Sequence, residues 1–139
     1  MEPIVLRYTV DGDNFVSAGE ASTDMKRSLK RLGADAELIR RAAICMYEGE
    51  INMVIHGGGG EAVVTFDGSA LDILLVDHGK GIPNIEDAMR EGFSTATQEV
   101  RDIGFGAGMG LPNMKRYADE LILESEVGVG TTVKMRLVG

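Results

Sequence analysis

The sequence predicts an α+β fold, a two-layer sandwich in which helices cover one face of a mixed, mainly antiparallel sheet. Three observations predict it. Short segments with strand-like alternation or continuous aliphatic character stand at Ile4 to Val10, Glu61 to Phe66, Leu71 to Val76, Leu121 to Ser125 and Thr131 to Val138. Helical periodicity occupies two segments before residue 57 and a shorter one after residue 110. The resulting order is strand, two helices, two strands, a glycine-rich stretch, a helix and two strands, which suits helices segregated to one face of a sheet. With 139 residues, the chain is expected to be a single domain, 1–139, burying roughly two-thirds of the surface its unfolded form exposes.

Each element has its own warrant. Ile4, Leu6 and Tyr8 alternate with Val5, Arg7 and Thr9 in an edge-strand pattern that stops at Asp11-Gly12-Asp13-Asn14. Phe15 to Leu32 is expected to be helical, with Val16, Met25, Leu29 and Leu32 on the inner face and Gly33 as the stop. Asp35 can cap a second helix, whose apolar face is Leu38, Ile39, Ala42, Met46 and Met53 and which runs until Gly57. Gly57 to Gly60 reads as a flexible connector. The next two strands are joined near Asp67-Gly68-Ser69 as a hairpin. Pro83 to Gly92 allows a short helix. Phe93 to Gly110 has no clear period, and a long structureless segment in a compact domain is either a misread element or a functional lid. Leu111 to Asp119 is helical again, and the last two strands flank Val127-Gly128-Val129-Gly130.

The charge balance is 14 basic against 22 acidic residues, a net −8. The lack of a run of Lys or Arg to track a phosphate backbone argues against general nucleic-acid binding, and proteins or small ligands are the expected partners. Nothing near the N-terminus resembles a secretory signal, and no apolar run approaches the roughly 18 residues of a membrane span, so a cytoplasmic location with no membrane partner is expected. The single Cys45, among Ala42, Ala43, Ile44 and Met46, reads as a small core hydrophobe.

Three motifs can carry chemistry. Glu48, Asn52 and His56 are four apart on the second helix, so they form one stripe that drifts about 40° per step. An acid, an amide and an imidazole so placed make either a site or a solvated face. The strand Leu71 to Val76 delivers Asp77-His78-Gly79-Lys80-Gly81. A carboxylate leaving a buried strand can accept from a polar ligand edge such as an adenine amino group, or it can simply start a tight turn. Gly104-Phe105-Gly106-Ala107-Gly108-Met109-Gly110-Leu111-Pro112 alternates glycines ahead of a helix, offering backbone N–H groups and a positive helix end to a polyphosphate. It is neither a P-loop nor a dinucleotide fingerprint, since it lacks Gly-Lys-Ser/Thr and no buried strand feeds it.

Taken in order, Glu48-x-x-x-Asn52, Asp77-x-Gly79-x-Gly81, the glycine ladder ending at Gly110 and Gly130-Thr131-Thr132-Val133 resemble the N, G1, G2 and threonine-bearing boxes of the GHKL superfamily of gyrase-type and histidine-kinase-type ATPases. The resemblance spans nearly the whole chain. Ala88-Met89-Arg90-Glu91-Gly92-Phe93-Ser94-Thr95, Gly110 to Arg116 and Glu124 to Thr131 further resemble the small stand-alone bacterial anti-sigma and stressosome switch kinases.

That resemblance implies a Bergerat ATP-binding fold, with ATP and Mg²⁺ as cofactors and a role for each position. Asn52 would ligate Mg²⁺ through its side-chain oxygen, and Glu48 would be the general base. His56 matches a position that is often basic and faces phosphate. Asp77 would receive the adenine amino group, Gly79 and Gly81 would shape the pocket, and Thr131 would support its floor. Gly104, Gly106, Gly108, Gly110 and Leu111 belong to the ladder that would wrap the triphosphate, in a lid at about 93–110. Gly49 departs from the pattern, because glycine inside a helix costs about 1 kcal/mol relative to Ala; close packing of a strand or ligand would account for it.

The function implied first is a serine/threonine protein kinase of the switch type. It would phosphorylate a small regulatory protein resembling a sigma factor or an anti-sigma antagonist, and it is compatible with a homodimer. The alternative is a nucleotide-gated protein-binding module that transfers nothing. A detached histidine-kinase catalytic domain ranks third, since the chain has no room for a phospho-accepting helix pair.

Overall fold

A computed structural model describes residues 2–12, 19–56, 58–79 and 110–139, with the side chains of Ile55 and His56 excepted. Within them lie strands β1 (Ile4–Asp11), β2 (Gly59–Phe66), β3 (Ala70–Asp77), β4 (Glu120–Glu126) and β5 (Gly130–Val138), and helices α1 (Glu20–Arg31), α2 (Ala36–His56) and α3 (Gly110–Tyr117). The strands form one open sheet in the order β1-β2-β3-β5-β4. Each of the four pairings is antiparallel, so among the described strands the sheet holds no parallel pair.

The period-2 pattern puts Leu6, Tyr8 and Val10 of β1, Ala62, Val64 and Phe66 of β2, Leu71, Ile73 and Leu75 of β3, and Val133, Met135 and Leu137 of β5 against the helices. Met25 and Leu29 of α1, Leu38, Ala42 and Met46 of α2 and Met114 of α3 fill the other side of this core. The opposite sheet face mixes aliphatic and charged residues, with Val5 and Ile122 exposed and Arg136 Nη1 bonded to both oxygens of Asp72 at 3.0 and 2.9 Å. The α+β two-layer expectation is therefore met.

Local chemistry explains the helix starts. Asp35 Oδ2 accepts from the Glu37 and Leu38 amides at 3.1 and 3.3 Å, so the expected cap is present. At α1 the helix begins at Glu20, behind Gly19 with φ 100°; the expected earlier start at Phe15, with Val16, falls outside the described residues. No side chain of the first turn caps it. The cap comes from α2: Glu50, 2% exposed, accepts from the Gly19, Ala21 and Ser22 amides at 2.8, 3.2 and 3.1 Å. A carboxylate at a helix N-terminus meets unpaired N–H groups and the positive end of the helix dipole together.

One expectation is corrected. Gly57 to Gly60 is not a flexible connector throughout, because Gly59 and Gly60 belong to β2 and pair with Asp11 and Val10. Gly58 and Gly59 take φ of 66° and 91°, which the tight passage from α2 into β2 requires and which other residues rarely adopt. A Cβ at Gly60 would overlap the Val76 carbonyl and crowd Met53 Sδ at 3.0 Å, so α2 can lie close over the start of the strand.

Candidate functional site

One row of the sheet gathers the candidate pocket. Register sets Gly60 of β2 opposite Asp77 of β3, Asp77 opposite Thr131 of β5, and Thr131 opposite Ser125 of β4. Asp77 stands where β3 leaves the sheet, and its Oδ1 accepts from the Gly79 amide at 3.0 Å and the Thr131 amide at 3.2 Å. Both bonds fall on Oδ1, so among the described residues Oδ2 is the acceptor that remains for a ligand edge. Thr131 is buried, and its hydroxyl lies 2.9 Å from the Ser125 hydroxyl. Ser125 also donates to the Gly130 carbonyl at 3.2 Å. A Cβ at Gly130 would overlap the Asp77 carbonyl, so β3 and β5 approach here more closely than two side-chain-bearing residues allow.

The C-terminal half of α2 passes over the same end of the sheet. Glu48 and Asn52 are both half-buried. Burial pushes the Glu48 carboxyl above the ordinary carboxylate range, partly opposed by a hydrogen bond from Asn113 Nδ2 at 3.4 Å. A carboxyl held above its usual value accepts a proton more readily near neutral pH. Three successive points of α2 grip α3 and the segment behind it. Arg41 Nη1 donates to the Tyr117 carbonyl at 3.2 Å, Cys45 Sγ lies 4.0 Å from the Met114 carbonyl, and Glu48 meets Asn113. Cys45 is a fully buried core thiol, as expected, and burial pushes its titration up to about 12.

Gly49 has a packing reason. Any Cβ there would overlap Leu75 Cδ1, so its absence lets the helix carrying Glu48 and Asn52 settle onto β3.

This arrangement can be set beside known proteins. The family described as histidine kinase-, DNA gyrase B-, and HSP90-like ATPase matches residues 37–138. The chain belongs to this family. Relatives of this ATPase domain include an anti-sigma F factor of Thermoanaerobacter sp., 34% identical over 131 residues and covering 88% of each chain. The serine/threonine-protein kinase RsbT of Bacillus subtilis is 37% identical over 87 residues, 60% of this chain and 59% of that one. A crystal structure of the RsbU and RsbW domains of a Mycobacterium tuberculosis protein superposes with a TM-score of 0.63 at 17% identity, covering 97% of this chain and 32% of that one; this likeness shows the shared fold.

In the ATPase domain, then, the residues expected at the site divide into two groups. Glu48, Asn52, Asp77, Gly79 and Thr131 are described, and Asp77, Gly79 and Thr131 are joined by direct hydrogen bonds. Gly110 opens α3, and Leu111 is a buried core residue at 6% exposure. His56 closes α2, but its side chain is not among those described. Gly81, Gly104, Gly106 and Gly108, the Pro83 to Gly92 helix and most of the lid at 93–110 lie outside the described residues. Sequence reasoning missed Asn113, Ser125 and Glu50. Glu50 did leave a signal: at 200° from Glu48 it puts a carboxylate on the apolar side of an amphipathic helix, where it needs donors.

Among the described residues no group of three or more His, Cys, Asp and Glu side chains could hold a metal ion, and no helix is long and apolar enough to cross a membrane.

Proposed function

We propose that this ATPase domain is a Mg-ATP-dependent serine/threonine protein kinase of the switch type. It moves the γ-phosphoryl group to a hydroxyl of a small regulatory protein resembling a sigma factor or an anti-sigma antagonist. In this reading, which is compatible with a homodimer, residues 1–139 act as one domain in the cytoplasm, with a lid at about 93–110. The observation that carries it is the pairing, on one helix, of a half-buried carboxyl with a raised proton affinity and an amide one turn further on, above the sheet row that bears Asp77 and Thr131.

Asp77 Oδ2 accepts from the adenine amino group, while Thr131 and Ser125 hold the pocket floor. Glu48 takes the proton of the attacking hydroxyl as its oxygen bonds to the γ-phosphorus and the bond to the ADP oxygen breaks. Asn52 suits Mg²⁺, a hard ion that commonly takes one or two protein oxygens and completes its shell with phosphates and water. When bound, the ion supplies neutralisation of phosphate charge. Gly79 and Gly81 shape the adenine pocket, and His56 and the ladder Gly104, Gly106, Gly108, Gly110 and Leu111 surround the phosphates in this reading. Names of the relatives support both kinase and anti-sigma roles, so nucleotide-gated partner binding is the second reading.

The test incubates the protein with γ-labelled ATP and candidate partner proteins. Acid-stable label on a partner Ser or Thr supports the kinase, and acid-labile label points to histidine. Asn52→Ala is expected to lose Mg-ATP affinity, and Glu48→Ala to keep it while losing transfer. A Glu48→Ala protein whose partner still responds to nucleotide, with no label transferred by the parent, favours the binding module.

A further inference from the structure

The base proposed above is held from outside its own helix. Asn113 lies in the first turn of α3, and its Nδ2 reaches Glu48 Oε1 at 3.4 Å. This is longer than the usual N–H···O separation. The two residues are 65 positions apart, so the contact exists only because α3 is docked along α2. That docking is firm: Leu111 and Met114 are buried, and Arg41 binds the Tyr117 carbonyl at the far end of α3. Its Nη2 also reaches the Val138 carbonyl at 2.6 Å. A donor placed this way can engage one carboxylate oxygen of Glu48 without neutralising it, since an amide cannot take the proton.

Resting on the kinase reading, we propose that Asn113 is a positioning residue for Glu48. Its amide engages Oε1, which turns Oε2 to the attacking hydroxyl and favours the ionised carboxylate that must receive the proton. The amide does not touch substrate. It counters the burial that would otherwise keep Glu48 protonated further into the working pH range. The other groups around this carboxylate leave the role to Asn113. Cys45, one turn back on α2, stays a neutral thiol. Lys115 and Arg116 of α3 are exposed, and among the described residues no charged group contributes to the Glu48 shift. The strand packed beneath, β3, meets this part of α2 through Leu75.

The experiment has two readouts, one independent of phosphoryl transfer. The side-chain carboxyl carbon of Glu48 is followed by NMR titration in the parent, Asn113→Leu and Asn113→Asp, and the pH profile of transfer is measured on the same proteins. Asn113→Leu keeps the volume and removes the donor; Asn113→Asp keeps the shape and adds a like charge. The expected result is an upward move of the Glu48 titration in both, larger in Asn113→Asp, with the acid limb of transfer moving up in parallel and, in Asn113→Leu, ATP affinity unchanged. Loss of turnover is then greater at acid pH than at alkaline pH. A Glu48 titration that stays with the parent in Asn113→Leu overturns the proposal, since Asn113→Asp moves it by like charge alone. So does a moved titration with an unmoved transfer profile. Should Asn113→Leu fail to fold, Asn113→Ala, which also removes the donor without adding charge, carries the same two readouts. If the parent transfers nothing, the kinase reading falls, while the titration still decides whether Asn113 holds the carboxylate.

Discussion

Gly49 faces Leu75 so closely that a Cβ on the helix bearing Glu48 would overlap the Leu75 Cδ1 methyl on the strand ending at Asp77. The residue that looks weakest for helix propensity is therefore the one that sets how near the two halves of the site can come.

Gly49→Ala is predicted to destabilise the fold. The substitution gains about 1 kcal/mol of helix propensity, but a methyl forced into a filled core costs about 1–3 kcal/mol, and Leu75 is only 2% exposed. The expected net loss is roughly 1 kcal/mol, measured by urea unfolding. Combining it with Leu75→Val, which trims the obstructing side chain, is expected to give a loss smaller than the sum of the two single losses. Additivity in that cycle would remove this explanation for the glycine.

Glu50→Ala is predicted to leave the Gly19, Ala21 and Ser22 amides without their carboxylate. The cost is expected to be about 2–3 kcal/mol, and Glu50→Gln should cost less, since one acceptor oxygen survives. Hydrogen exchange offers the sharper check. The amides of Ala21 and Ser22 should lose protection in Glu50→Ala, while those at the C-terminal end of α1 change little.

Asp77→Asn keeps an oxygen that can accept from the Gly79 and Thr131 amides, so the fold is expected to survive. The charge that receives an amino group is lost, and a hydrogen bond to a charged group contributes about 1.5–3 kcal/mol. ATP affinity measured by calorimetry is expected to fall by roughly 10- to 100-fold. Unchanged affinity would remove Asp77 from the pocket.

The Glu48 carboxyl imposes a pH dependence on stability. Its folded-state value is raised above the ordinary 4.5 by burial, so the folded protein binds more protons than the unfolded chain between those two values. Stability attributable to this group is therefore present at acid pH and is lost as pH rises through that window. Glu48→Gln removes the titration. Relative to the parent, it is expected to become progressively more stable as pH rises above the ordinary carboxylate value of 4.5, as read from denaturant midpoints along the pH series. A constant difference across the series would contradict the burial described here.

Patterns carried by neighbours in the chain were legible without coordinates. The alternation in β1, the Asp35 cap, the inward face of α2 and the hairpin at Asp67 each depend on residues within a turn or a strand, so spacing alone exposes them. In the run Gly57 to Gly60, composition cannot separate flexibility from the start of a strand; only the φ of Gly58 and Gly59 and the pairing of Gly59 and Gly60 make that distinction.

By itself the sequence determined the two-layer architecture, the order of its boxes and the identity of Glu48, Asn52, Asp77 and Thr131 as candidates, because periodicity and motif order are properties of the chain. Tertiary structure alone decided what touches them. The Glu50 cap on α1, the Ser125 hydroxyl beside Thr131 and the Asn113 amide on Glu48 join different elements. The first and last of these span 29 and 65 positions. Such contacts follow from how helices dock on a sheet, and no local periodicity encodes them.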